Sequence, residues 1–328
     1  KTIGLALGGG GARGWAHIGA LRALQEHNIA IDCVAGTSIG ALVGAIYVKG
    51  ELHRLEQFAE DIDVNNLLSL LDVSFPGLGL VEGHRVQDFL AGYLTDATLE
   101  SCDIPFRCVA TNFLTKQEVV FKSGSLVDAV RASISMPGVF VPCKYENDYF
   151  VDGGVMNPVP VNIVKAMGAD VVIAVNLNHD PRPLDHASLQ QVDQAEDNVE
   201  TNGHDQSSDQ KDTHESNDQP QSSSPENGPI EGLVDRYEEL KDVLQDNIED
   251  WMPDPETGIN IFDVIGNSIN IMEQQVTQVR LSHDVPDVLI EPDLIEFGIF
   301  DFQQAQPLMQ KGYDATLEKI SDIKAAIE

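Results

Sequence analysis

In the first fifty residues, the pattern of a strand, a glycine-rich turn and a helix occurs twice in succession. This repeated pattern limits the possible folds more than any other feature. Residues 2–7 (TIGLAL) form an apolar run that ends in the glycines of GGGGARG, and a helical pattern follows. Residues 31–36 (IDCVAG) repeat this order and lead through GTSIG into a second helix. Short apolar runs of this kind are typical of strands buried on both faces. The short connections predict parallel strands in a right-handed α/β arrangement.

The alternation of strands and helices continues along the chain. Further strands are predicted at 106–112, 118–124, 170–178 and 287–292, and YFVDGG ends another strand at Asp152. Helices are predicted near 231–250, over 262–281 and at 306–328. The 262–281 helix has an apolar face made of Phe262, Ile265, Ile269, Met272, Val276 and Val279. The predicted fold class is therefore α/β, with a mostly parallel central sheet flanked by helices.

Acidic residues outnumber basic ones by 53 to 20, which leaves a formal net charge of −33. This charge argues against nucleic acid as a partner. Much of the acidic excess lies in residues 180–229, which contain no Phe, Trp or Tyr. Such a segment cannot bury enough apolar surface to offset the entropy of ordering. We therefore predict a disordered acidic insertion at 180–229 within a single domain that spans 1–328.

The sequence contains no signal for a metal, a cofactor or a membrane span. Its four cysteines, Cys33, Cys102, Cys108 and Cys143, lack the spacing of a metal site or a redox motif. The acidic tract lacks the spacing of a calcium-binding loop. No run of about 18 apolar residues occurs, and no basic and then apolar leader precedes the first strand. We expect a cytoplasmic protein whose contact with membranes is transient and made by apolar loops. One such loop is 67–83, which is interpreted either as a lid or acyl-chain wall or as an ordinary buried loop.

The string GTSIG lies where a predicted strand meets a predicted helix. This is the context of a nucleophile elbow, in which Gly36 and Gly40 let the strand and the helix approach closely while Ser38 projects from the turn. Ser38 also stands at a helix N-terminus, whose unpaired N–H groups favour negative charge. These observations make Ser38 the candidate nucleophile.

The glycine run Gly8–Gly14 allows two functional interpretations. As GxGxxG between a strand and a helix, it could hold a dinucleotide pyrophosphate, but an acidic residue is then expected at the end of the second strand. Asp32 lies at the start of that strand instead. Alternatively, the N–H groups of consecutive glycines could form an oxyanion hole, as in esterases. The glycine run and GTSIG together favour acyl transfer.

A serine nucleophile needs a base, and histidine is the usual one. None of the nine histidines stands in a predicted turn at a strand end, and His17, on the helix after the glycine run, is more typical of helix packing. Asp152 does stand in such a turn, followed by Gly153 and Gly154. An aspartate in a turn is more often structural, so this position leaves the base open.

The segments GGGGARG, GTSIG and DGG, in this order, resemble the three signatures of the patatin-like phospholipases. ASISMPGVFVP at 132–142 is similar to the segment that precedes the DGG turn in that family. The resemblance is closest to bacterial members related to neuropathy target esterase. It covers residues 1–180 well and 260–328 more loosely, and the acidic insertion has no counterpart in it.

This resemblance implies a Ser-Asp dyad without histidine, with Ser38 as nucleophile and Asp152 as base. It implies an oxyanion hole from the amides of Gly9, Gly10 and Gly11, with Arg13 fixing or charging the loop. On general grounds, the Ile39 N–H next to the nucleophile can add a donor. The remaining motif glycines are Gly14, Gly36, Gly40, Gly153 and Gly154.

The function expected from these residues is hydrolysis of fatty-acyl esters of lipids through an acyl-enzyme. The alternative is a non-catalytic lipid-binding or regulatory protein with the same fold. The sequence does not distinguish phospholipid, lysophospholipid, monoacylglycerol or simple ester as substrate, and it does not indicate an oligomeric state.

Overall fold

The computed structural model describes residues 1–62, 72, 81–180 and 261–328. Its strands are β1 (Ile3–Leu7), β2 (Cys33–Thr37), β3 (Phe106–Asn112), β4 (Gln117–Phe121), β5 (Cys143–Tyr145), β6 (Asp148–Asp152), β7 (Val171–Val175) and β8 (Val288–Ile290). Its α-helices are α1 (Trp15–Glu26), α2 (Ile39–Val48), α3 (Leu52–Asp61), α4 (His84–Leu94), α5 (Leu126–Ser133), α6 (Val161–Ala166), α7 (Ile261–His283) and α8 (Ala305–Ile327). Short 3₁₀ turns lie at Gly11–Gly14, Leu99–Ser101, Gly153–Val155 and Phe302–Gln304.

All of the strands listed above belong to one sheet. Its order is β5-β6-β3-β2-β1-β7-β8, with β4 also paired to β3. The centre is parallel, because β1 pairs in parallel with β2 and β7, β2 with β3, and β7 with β8. The β3–β4, β3–β6 and β5–β6 pairs are antiparallel. The predicted α/β class with a mostly parallel central sheet is confirmed.

The chain after residue 260 contributes to the same sheet, since Ile173 of β7 is in register with Val288 of β8. Residues 1–181 and 261–328 form one compact unit. The predicted disordered insertion lies outside the described residues apart from Asp180, as do the predicted helix near 231–250 and most of the loop at 67–83.

Successive strand residues point to opposite faces of the sheet. Because the central strands β1 and β7 are apolar and buried throughout, helices cover both faces. On one face, Leu5 and Leu7 pack into the larger core, which also contains residues of α1, α2 and α8. On the other face, Ala6 and Ala174 pack with Val164 of α6. None of the described helices is long and apolar enough to cross a membrane.

Strands β2 and β6 meet end to end alongside β3. The parallel strand β2 ends with Thr37 in register with Val109 of β3. The antiparallel strand β6 ends with Asp152 in register with Ala110, the next residue of β3. Because two strands that run in opposite directions both end here, the residues that follow them are directed into one place.

Helix α7 buries only part of the face that its apolar spacing predicts. Met272 and Val279 are 59% and 63% exposed, whereas Glu273 and Thr277 are buried. The prediction was wrong for Met272 and Val279, whereas Ile265, Ile269 and Val276 are half-buried. Helical spacing alone fits more than one face of this helix. Polar partners determine the buried face: Asn270 and Glu273 bond to Arg13 and Asn178.

Candidate active site

Ser38 stands in a strained turn between β2 and α2. Its backbone angles are φ 55° and ψ −126°, which residues other than glycine rarely adopt. A Cβ at Gly40 would collide with the carbonyl oxygens of Leu7 and Gly8, and one at Gly36 would collide with the backbone of Gly40 and Ala41. The two glycines therefore permit the close strand and helix packing that holds the serine in this conformation.

Ser38 Oγ donates a hydrogen bond to Asp152 Oδ2 at 2.5 Å. The exposed fractions of these residues are 4% and 2%, so this bond lies in a largely water-free environment. The structure thus brings together a hydroxyl and a carboxylate that are 114 positions apart in the chain.

Asp152 is held by three further hydrogen bonds. Its Oδ1 accepts from the Gly154 N–H at 2.7 Å, its N–H donates to the Ser135 carbonyl at 2.8 Å, and its carbonyl accepts from Thr111 Oγ1 at 3.0 Å. Burial raises the pKa of Asp152 to about 6, although the hydrogen bonds from Ser38 and Gly154 act in the opposite direction. At neutral pH the carboxylate is therefore ionised but more basic than an exposed aspartate.

Ser133, at the end of α5, supports the nucleophile and was not singled out in the sequence. Its Oγ accepts from the Ser38 N–H at 2.9 Å and donates to the Val109 carbonyl at 2.5 Å. This hydroxyl links the elbow to β3. The resemblance at 132–142 includes Ser133, but only the folded arrangement reveals the contact.

The amides of the glycine loop have different roles. The Gly8 N–H donates to Val175 and the Gly9 N–H to Pro158, at 3.0 and 2.9 Å. Among the described residues, the N–H groups of Gly10, Gly11 and Ile39 have no backbone acceptor. Gly9 therefore anchors the loop, and Gly10, Gly11 and Ile39 are the better candidates for oxyanion donors.

Arg13 is buried and ties the glycine loop to the C-terminal part of the chain. Its Nε donates to the Phe297 carbonyl at 2.8 Å and its Nη1 to Asn270 Oδ1 at 2.9 Å. Gly14 beside it lies against Ile39, with which a Cβ would collide. These contacts fit the fixing role that the resemblance implies for Arg13.

A second buried carboxyl, Glu273 of α7, adjoins the Ser-Asp pair. A Cβ at Gly154 would collide with Glu273 Oε1 and would lie 3.2 Å from Asp152 Oδ1. Asn178 Nδ2 donates to Glu273 Oε2 at 3.2 Å. Burial, followed by the charge of Asp152, raises the pKa of Glu273 to about 8. Sequence analysis missed this residue because it occupies one position of a helix whose apolar residues suggested another buried face.

His17 is not placed to act as the base. Its Nε2 lies 2.7 Å from the Gly8 carbonyl oxygen, to which only a protonated nitrogen can donate. Burial lowers the pKa of this histidine to about 4, so the ring is neutral at physiological pH. Asp32, weighed above for dinucleotide binding, accepts from the Ile3 N–H at 2.7 Å instead.

One group of side chains with the spacing of metal ligands occurs in the described residues: Asp72, Glu82 and His84. The two oxygens of Asp72 accept from the N–H groups of Gly83 and His84 at 2.7 Å each. These bonds explain the position of Asp72 as a cap at the start of α4, without a cation.

An apolar cavity of about 350 Å³ lies beside the β3–β4 hairpin and β6. Its lining consists of Phe113, Leu114, Pro137, Gly138, Phe140, Pro142, Tyr149 and Val151. Phe113 and Leu114, at the hairpin tip, are 56% and 60% exposed. Strand β3 runs parallel to β2 and continues past the position of Thr37. The hairpin tip therefore projects from the same end of the sheet, at the carboxyl ends of the parallel strands, at which Ser38 lies.

Residues 5–165, which include Ser38 and Asp152, match the family model described as patatin-like phospholipase. The chain therefore contains a patatin-like phospholipase domain over residues 5–165. Glu273 and Asn270 lie outside the matched segment. The patatin-like segment thus contains the Ser-Asp pair, while α7 supplies the second carboxyl from a later part of the chain.

Relatives with patatin-like or NTE names cover 54% of the chain. An uncharacterized NTE family protein of Mycobacterium tuberculosis is 38% identical over 176 residues, which are 49% of its length. Lysophospholipase NTE1 of Mycosarcoma maydis is 36% identical and patatin-like phospholipase domain-containing protein 7 of Rattus norvegicus is 35% identical. The matches span only 10% and 14% of those two longer proteins.

Among solved structures, VipD from Legionella pneumophila aligns with 97% of this chain and 66% of its own. The sequence identity is 14% and the TM-score is 0.41. A similarity of this degree supports no inference about function.

Proposed function

We propose that this protein is a serine acyl hydrolase that cleaves fatty-acyl esters of lipids, with Ser38 as nucleophile and Asp152 as base. The observation that carries this proposal is the hydrogen bond from Ser38 Oγ to Asp152 Oδ2 in a buried, strained elbow. The match of residues 5–165 to the patatin-like phospholipase family model and the relatives named lysophospholipases also support it.

In the first step, Asp152 accepts the Ser38 proton as Oγ attacks the ester carbonyl carbon. The carbonyl oxygen becomes an oxyanion, which the N–H groups of Gly10, Gly11 and Ile39 stabilise. When the tetrahedral intermediate breaks down, the proton on Asp152 passes to the leaving alcohol. The product of this step is an acyl ester of Ser38.

In the second step, Asp152 accepts a proton from water, and the resulting hydroxide attacks the acyl carbon. The same N–H groups hold the second oxyanion. Breakdown returns the proton from Asp152 to Ser38 Oγ and releases the fatty acid. Each group therefore ends the cycle in its starting state, and no metal or cofactor enters the reaction.

The apolar cavity beside the hairpin supports a lipid substrate rather than a polar ester. Its lining is mostly hydrophobic, and the exposed Phe113 and Leu114 lie at the same end of the sheet as Ser38. Exposed apolar side chains at a rim favour contact with a lipid surface. We therefore propose that the hairpin tip meets the lipid aggregate from which a single acyl chain enters the site.

Domain organisation and location are parts of the same proposal. We propose one domain over 1–328, with an acidic insertion at 180–229. We also propose a cytoplasmic location, which the four free cysteines support because disulfides are rare in that compartment. Membrane contact is proposed to be transient and made by the hairpin tip.

The deciding experiment is hydrolysis of phospholipid, lysophospholipid, monoacylglycerol and a short-chain ester by the wild type and by Ser38→Ala. Released fatty acid is measured, and a fluorophosphonate probe tests covalent labelling. We expect the wild type to hydrolyse at least one ester and to be labelled, and Ser38→Ala to do neither. A folded wild type that binds lipid but neither hydrolyses these esters nor takes the label is the alternative, non-catalytic protein.

A further inference from the structure

We propose that Glu273 is a third acid–base group of this site, which positions Asp152 and limits the reaction at alkaline pH. This inference rests on the proposed function. Glu273 adds to the proposed site a residue of α7, which lies outside the segment that matches the patatin-like family model.

The position of Glu273 is determined by contacts on two sides. Its Oε1 lies so close to Gly154 that a Cβ there would collide with it. A Cβ at Gly9 would lie 3.4 Å from Ser38 Cβ and 3.9 Å from Glu273 Oε1. The missing Cβ at Gly154 therefore leaves room for the carboxyl, and the contacts around Gly9 place Glu273 Oε1 close to the nucleophile.

Two carboxyls this deeply buried cannot both be ionised at low cost, because like charges repel strongly where water is excluded. The positive charge of Arg13 lowers the pKa of Glu273 but does not offset the effect of burial. Arg13 itself donates hydrogen bonds to Phe297 and Asn270. The negative charges of Asp180 and Asp301 also interact with Arg13. Among the described residues, the charged groups that act on Glu273 are thus Asp152 from β6 and Arg13 from the glycine loop. One proton stays on the carboxyl pair at neutral pH.

The hydrogen bonds indicate where that proton lies. Asp152 must stay ionised to accept from both Ser38 Oγ and the Gly154 N–H. Glu273 Oε2 accepts from Asn178 Nδ2, so the proton is left to Oε1, the oxygen that faces Gly154. We infer that this O–H donates to Asp152 Oδ1, because the Cβ position of Gly154 adjoins both oxygens and Oδ1 has a second lone pair available.

This arrangement gives Glu273 a defined effect on the reaction. While it is protonated, it offers Asp152 a charge-assisted hydrogen bond and adds no charge beside the oxyanion. When it ionises, a second negative charge appears next to Asp152 and opposes the developing oxyanion. The rate should therefore fall as pH rises through the pKa of Glu273, which is about 8.

The test compares kcat/KM from pH 5 to 10 for the wild type, Glu273→Gln and the exposed control Glu296→Gln, using an uncharged ester. For the wild type and the control, we expect a loss of about 10-fold or more between pH 7.5 and 9.5. Glu273→Gln should lack this alkaline decline and keep the decline below pH 6, because glutamine is neutral throughout. The proposal is wrong if Glu273→Gln retains the alkaline decline or if the wild type has none.

A second measurement needs neither activity nor a folded variant. Infrared spectra of the wild type with isotope-labelled glutamate should contain the band of a protonated glutamic acid at pH 7 that disappears by pH 10. Absence of that band overturns the proposal. A wild type that hydrolyses no ester would instead contradict the proposed function, and Ser38→Ala with fluorophosphonate labelling separates these two failures.

Discussion

Thr37 and Asp152 are in register with consecutive residues of β3, Val109 and Ala110, although they come from strands that run in opposite directions. The nucleophile follows Thr37 directly, so Ser38 reaches the carboxylate of Asp152 without a long connecting loop. A Cβ at Gly153 would collide with the Val109 carbonyl, which shows how tightly this junction is packed. The sheet itself, rather than a flexible segment, holds the two groups together.

Replacing Asp152 by asparagine should abolish hydrolysis. Asparagine keeps the shape of the side chain but cannot accept the Ser38 proton, so we expect kcat/KM to fall by about 10³-fold or more. Asp148→Asn, at the exposed start of β6, is the matched control and should stay within about 2-fold of the wild type. Full activity in a folded Asp152→Asn would assign the base to another residue.

The acid side of the pH profile should report Asp152. Its pKa of about 6 means that kcat/KM on an uncharged ester should fall about 10-fold for each pH unit below that value. Between its ordinary pKa of 3.8 and about 6, the folded state holds a proton that the unfolded state has lost. The free energy of unfolding should therefore decrease as pH rises through this window, and less so for Asp152→Asn. A profile of kcat/KM that is flat down to pH 4.5 would contradict the assignment of Asp152 as the base.

The sequence predicted Ser38 from a short local pattern, at the end of a strand and next to glycines, whereas Asp152 stands in a similar pattern but was predicted as the base only through the resemblance to patatin-like phospholipases. Their meeting could not be read from local pattern, since it depends on the antiparallel pairing of β6 with β3. Strands β1 and β3 were predicted to within one residue of their observed bounds for the same local reason.

Glu273 and Ser133 were not predicted, and the cause is physical. A buried glutamate on an amphipathic helix resembles any exposed polar residue until its partners are known. In α7 these partners, Asn178 and Gly154, lie in other parts of the chain. Apolar spacing favoured a face with Met272 and Val279, yet hydrogen bonds to distant residues turned the polar face inward.

Ser133→Ala should loosen the nucleophile elbow. The Ser38 N–H and the Val109 carbonyl would both lose a buried partner, so we expect the free energy of unfolding to fall by about 1–3 kcal/mol. We also expect kcat to fall by about 10-fold because the strained turn loses a support. Chemical denaturation and steady-state kinetics measure the two effects, and Ser282→Ala, an exposed serine near the end of α7, is the control. Unchanged kcat in Ser133→Ala would show that the elbow holds without this hydroxyl.

The hairpin tip provides a test of the lipid-surface proposal. Phe113→Gln combined with Leu114→Gln removes two apolar side chains that are 56% and 60% exposed. Both lie at the same end of the sheet as Ser38. Burying such a side chain in lipid contributes about 1.5–3 kcal/mol, so hydrolysis of long-chain lipid in vesicles should fall by about 10-fold or more. A water-soluble short-chain ester needs no lipid surface, and its kcat/KM should stay within about 2-fold. Val285→Gln, 61% exposed between α7 and β8, is the matched control and should alter neither rate. An equal loss on both substrates would indicate damage to the fold, and no loss on vesicles would place the lipid contact elsewhere on the protein.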